Sequence, residues 1–143
     1  MKKCLLIILV YCFSLTVISW GVEDNKPDNT STESSTYSDN GTTFTVKVNS
    51  SKYYIDGILK KSLILKKGYT YYFDSTDSTT NNHPLFIGTT SSGGSYTYEY
   101  TSGVTNSRTT NDTLTFVVPS DSPSTLYYNC GNHVSMGGSI TIN

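Results

Sequence analysis

The chain has 143 residues, room for one ordinary domain and short appendages. Its 10 Lys and Arg nearly balance its 11 Asp and Glu, and no basic cluster of the kind that neutralises phosphate backbones occurs, which excludes nucleic acid as an expected partner.

The N-terminus begins with Lys2 and Lys3, continues as an apolar run from Leu5 to Trp20, and reaches the small-x-small pattern Ser19-Trp20-Gly21. Residues 1–21 are therefore predicted to be an export signal. The alternative is an uncleaved anchor helix and hence a membrane tether, since Leu5 to Val22 is 18 residues and a span needs about 20. Acylation is not expected, because Cys12 lies in the middle of the apolar run behind Tyr11.

Residues 22–41 are rich in Ser, Thr, Asn and Asp with almost no large aliphatic groups. Such a segment cannot bury enough apolar surface to offset its ordering entropy and reads as a disordered linker. Removing residues 1–21 takes away Lys2, Lys3, Cys4 and Cys12, leaving 8 basic against 11 acidic residues and a single cysteine, Cys130. No intramolecular disulfide can then form. A lone thiol in an oxidising compartment calls for an explanation.

From residue 42 onward, short apolar runs of period two are separated by Gly, Pro, Asn, Asp and Ser. Phe44, Val46 and Val48 alternate in this way, as do Leu63 and Leu65, and Tyr69, Tyr71 and Phe73. The pattern recurs at Tyr96, Tyr98 and Tyr100, at Leu114, Phe116 and Val118, and at Ile140 and Ile142. With the runs Tyr53 to Ile55, Leu85 to Ile87 and Leu126 to Tyr128, about eight or nine strands are predicted and no competing helix. The expected fold is all-β, an antiparallel sandwich or barrel spanning residues 42–143. The antibody-like sandwich, with its cysteine pair and buried Trp, is not expected, because the only Trp is Trp20.

The segment LYYNCGNHVSMGGSITIN places Cys130, His133 and Met136 on one short loop before the last strand. Thiolate and thioether are soft donors that favour copper, and imidazole suits copper in both oxidation states, whereas Mg²⁺ or Ca²⁺ would find little to hold. His83, in NNHPLFIG, is the only other histidine. Beyond the initiator Met1 and the two N-terminal cysteines, the chain has one Cys, two His and one Met, and all four fall in this set.

A single upstream His followed by Cys, His and Met before the last strand resembles the cupredoxins, a family that includes plastocyanin, amicyanin and pseudoazurin. The two-residue gap before Met136 is most similar to the compact loop of amicyanin. The resemblance covers roughly Thr42 to Asn143. It implies a Greek-key β-sandwich, one type 1 copper ion held by His83, Cys130, His133 and Met136, and a partly exposed His133 near the surface.

Many cupredoxins have Asn after the upstream His, its side chain tying the two ligand loops together. Here Pro84 follows His83. Asn82, Asn129 and Asn132 are the candidates to take over that role, and the sequence does not choose among them.

A Cys–His hydrolase would use the same thiol and one imidazole but leave Met136 and the second His unexplained. A dinuclear copper site needs a second loop cysteine, and multicopper oxidases need further histidines. Zinc is poorly served by a thioether. The expectation is a monomeric, non-enzymatic carrier of single electrons between extracytoplasmic redox proteins. The alternative is a copper-binding module for storage, delivery or sensing.

Overall fold

The computed structural model describes residues 41–143. The expected export signal and most of the linker lie outside the described residues.

The chain begins with β1 (Thr42–Asn49), whose alternating Phe44 and Val46 point into the core, and turns back through β2 (Lys52–Ile55) and β3 (Ile58–Leu59). It then crosses to the opposite layer for β4 (Leu63–Leu65) and returns for β5 (Thr70–Asp74). A one-turn 3-10 helix, Ser78–Thr80, leads to β6 (Leu85–Gly88). After β7 (Val104–Thr105) and β8 (Thr113–Val117), the chain ends in the hairpin of β9 (Thr125–Cys130) and β10 (Gly138–Ile142).

The strands form two sheets, ordered β3-β2-β1-β5-β8-β7 and β4-β10-β9-β6. Successive elements keep crossing from one sheet to the other, so the architecture is the expected all-β Greek-key sandwich. The sheets are mixed rather than purely antiparallel. β1 pairs in parallel with β5, and β10 with β4, because those partners meet only after an excursion through the other layer has restored the strand direction.

One predicted strand is not formed. Tyr96, Tyr98 and Tyr100 alternate, but the Glu99 N–H turns back onto the Tyr96 carbonyl at 3.1 Å. Each ring then finds a separate environment: Tyr96 stands edge-on to Phe86, Tyr98 is exposed, and Tyr100 stands edge-on to Phe116. Period two without a shared face does not make a strand.

A single apolar cluster fills the space between the sheets. Phe44, Tyr53, Ile55, Tyr71, Phe73, Leu114 and Phe116 come from one layer and Leu65, Leu85, Ile87, Leu126, Tyr128 and Ile140 from the other. Close packing of this kind fixes side-chain rotamers, which suits a scaffold that must hold donors still.

The segment leading to His83 is held by its own polar residues. The Asp77 carboxylate accepts from the Thr79 N–H (2.9 Å) and hydroxyl (2.7 Å), and Thr79 Oγ1 in turn accepts from the Val48 N–H of β1 (2.9 Å). Lys47 completes the set at 3.1 Å from Asp77. Buried Thr80 places its hydroxyl 2.6 Å from the carbonyls of Ser75 and Thr110, and its own carbonyl receives the His83 N–H at 2.8 Å.

The Thr79 hydroxyl, then the Thr79 N–H and Lys47, hold the Asp77 carboxyl down at about 2, below its ordinary 3.8. A folded-state value below the unfolded one means the contribution is present above about 3.8 and lost as pH falls through about 2. NMR titration should find this low midpoint for Asp77, and Asp77→Asn should flatten the dependence of unfolding free energy on pH across that interval.

Candidate metal centre

β6 and β9 run antiparallel with Leu85 opposite Cys130. That register sets the turn preceding β6, with His83, beside the end of β9, which carries the thiol. The ladder between β9 and β10 closes at Tyr128 opposite Gly138, so Cys130 ends β9 and residues 131–137 form the connection that carries His133 and Met136. Gly137 has to be glycine, because a Cβ there would lie 1.6 Å from the Tyr128 carbonyl oxygen.

Three of the four expected ligands converge. Cys130 Sγ is 3.9 Å from His83 Nδ1 and 3.5 Å from His133 Nδ1, and the three donor atoms lie within 4.8 Å of one another. Two bonds of about 2.0–2.3 Å to a shared ion span at most ~4.5 Å, so both sulfur–nitrogen separations suit a common metal. The sulfur is completely buried, and both histidines turn Nδ1 toward it. Burial, and then the charge of His133, lower the His83 pKa and favour its neutral, ligating form. The cluster fits a type 1 copper site.

Met136, the fourth expected ligand, is buried (1 % exposed) where the same connection re-enters the core. Its backbone carbonyl accepts from the Tyr53 N–H at 3.0 Å.

Pro84 does not leave the two ligand loops untied. Its carbonyl accepts the Gly131 N–H at 2.9 Å, a bond that needs nothing from the proline nitrogen. Of the three candidate asparagines, Asn132 makes the side-chain tie, donating from Nδ2 to the Asn82 carbonyl at 2.9 Å. Asn82 contributes through its backbone, from a left-handed conformation (φ 66°). Asn129 donates instead to the Thr90 carbonyl at 2.8 Å, holding the chain beyond β6 against β9.

Two residues at the site carry no signal in the sequence beyond that of ordinary core or surface aromatics. Tyr96 stands over Gly131, with Arg108 4.1 Å from its ring centroid and Phe86 edge-on at 5.2 Å. Arg108 is fixed in turn by Glu99, at 2.6 Å. Tyr53 comes from β2 in the other sheet, and its hydroxyl donates to the His83 carbonyl at 2.6 Å. Burial raises its phenol pKa far above the ordinary range, and the charge and hydrogen bonding of Cys130 raise it further, so Tyr53 stays a neutral donor.

No family model and no curated protein matches the chain. Among solved structures it is similar to reduced rusticyanin, with 16% identity and a TM-score of 0.46 over 71% of this chain and 79% of that one. Rusticyanin variants give 14% identity and a TM-score of 0.42, over 71% and 77% of the two chains. A variant of the multicopper oxidase McoA from the hyperthermophile Aquifex aeolicus gives 18% and 0.41, over 75% of this chain and 27% of that one.

A Cβ at position 131 would lie 2.1 Å from the Tyr96 hydroxyl oxygen. Gly131→Ala should therefore cost about 1–3 kcal/mol in denaturant unfolding, the usual range for overpacking. Adding Tyr96→Ser should recover part of that loss.

Proposed function

We propose that this chain is a cupredoxin, a type 1 copper protein that carries single electrons between redox proteins outside the cytoplasm, with His83, Cys130, His133 and Met136 as the residues that would hold the metal. The observation that carries the reading is the convergence of one thiol and two imidazoles within 4.8 Å in a chain that has no other histidine.

Copper bound there would supply a one-electron couple between Cu(II) and Cu(I), with two imidazoles and a thiolate as strong donors and a weak thioether. The protein's part is to keep those donors in place. Cys130 would hold the metal through its sulfur inside the core, where competing oxidants have little access. The bonds from Gly131 to Pro84 and from Asn132 to Asn82 lock the loops together, limiting rearrangement when the charge changes. His133 and the adjacent Val134, 66 % exposed, bring the site's edge to the surface for a partner to approach.

The same clasps favour a carrier that retains its metal over a module that hands it on. The protein acts as a monomer and a carrier rather than a catalyst, and its N-terminal signal directs it to the extracytoplasmic side.

Purified protein loaded with Cu(II) should be intensely blue through thiolate-to-copper charge transfer; a colourless Cu(II) adduct would overturn the type 1 assignment. Cys130→Ser should abolish the colour and leave the β-sheet circular dichroism unchanged. Rapid, reversible reduction by small redox proteins, with little copper passing to a metal-free acceptor, should separate carriage from delivery.

A further inference from the structure

We infer that Tyr53 is a positioning residue for the metal centre, a cross-sandwich clamp that holds the His83 turn and the Cys130–Met136 connection in register from the opposite sheet. This rests on the copper reading above and extends it to a residue that donates nothing to the metal.

Tyr53 lies on β2, opposite Val48 of β1, in the six-stranded sheet. The ligand loops belong to the four-stranded sheet. One residue reaches both of them. Its N–H donates to the Met136 carbonyl (3.0 Å) and its hydroxyl to the His83 carbonyl (2.6 Å). Between these bonds the ring is wholly buried, tilted against Tyr128 at 6.2 Å. The preceding residue adds a surface contact, as Lys52 Nζ donates to the Ser135 carbonyl at 3.1 Å.

The ties described above, Gly131 to Pro84 and Asn132 to Asn82, join the two loops directly. From the opposite sheet, the Asp77–Thr79–Val48 relay holds only the approach to His83, and Lys52 touches the other loop only at its surface. Tyr53 bonds both loops at once, and its backbone N–H and its hydroxyl, linked through a side chain with only two torsions, fix the distance between the Met136 and His83 backbones. Groups that orient ligands in this way typically change metal affinity by about 10–100-fold when removed.

Tyr53→Phe keeps the ring and the N–H and deletes only the hydroxyl, leaving the His83 carbonyl without that donor. The variant should fold with unchanged far-ultraviolet circular dichroism, bind Cu(II) about 10–100-fold more weakly, and shift the charge-transfer absorption and the reduction potential. Tyr54→Phe, on the other face of β2, should change none of these. If Tyr53→Phe matches the wild type in affinity, absorption and potential, with or without a lower melting temperature, Tyr53 is a packing residue and the proposal fails.

Should the variant not fold, wild-type metal-free protein decides by NMR. A slowly exchanging Tyr53 hydroxyl proton with a nuclear Overhauser effect to His83 supports the clamp, and its absence overturns it. A wild-type protein that binds Cu(II) without turning blue would instead defeat the type 1 assignment, and the same NMR measurement would still decide the clamp.

Discussion

The antiparallel pairing of β6 with β9 is the constraint on which the rest of the site depends. Leu85 opposite Cys130 leaves His83 just beyond one strand end and the thiol at the other. A slip of one residue would turn Cys130 to the other face of its sheet and separate the donors. The register is well defended: Leu85, Ile87, Leu126 and Tyr128 are all completely buried, so the pairing that builds the donor set is also the one that satisfies the core. Stability and site geometry are set by the same residues.

Around that ladder the molecule adds constraints in order of distance. The Asp77–Thr79–Val48 relay fixes the approach to His83 from β1. Gly131 and Asn132 join the two loops to each other. Tyr53 joins them to the opposite sheet. Most of these contacts are backbone bonds or short polar side chains with few torsions, which lose little entropy on ordering. Rigidity at the site is thus obtained without a covalent cross-link.

The His83, Cys130 and His133 cluster is legible in the sequence because Cys and His are so scarce in it that position alone groups them. Most strands were legible because one buried and one exposed face impose period two. Tyr96 to Tyr100 shows the limit: the alternation is present, yet the rings serve three different neighbours. Tyr53 shows another. It is followed directly by Tyr54, and only the pairing of Tyr53 with Val48 decides which of the two enters the core. The tie across Pro84 was hidden because it runs through a carbonyl, which every residue possesses. Roles that depend on the backbone, or on which sheet stands opposite, leave no mark on residue type.

Cys130 is the only sulfhydryl in the described residues, and it is buried. Residues 41–143 therefore have no pairing problem during folding: no wrong disulfide can form within them, and no oxidant or isomerase is needed to reach the native connectivity. The sandwich coheres without any intramolecular disulfide, through apolar burial, hydrogen bonds and ion pairs. The sulfur is thereby spared a structural duty.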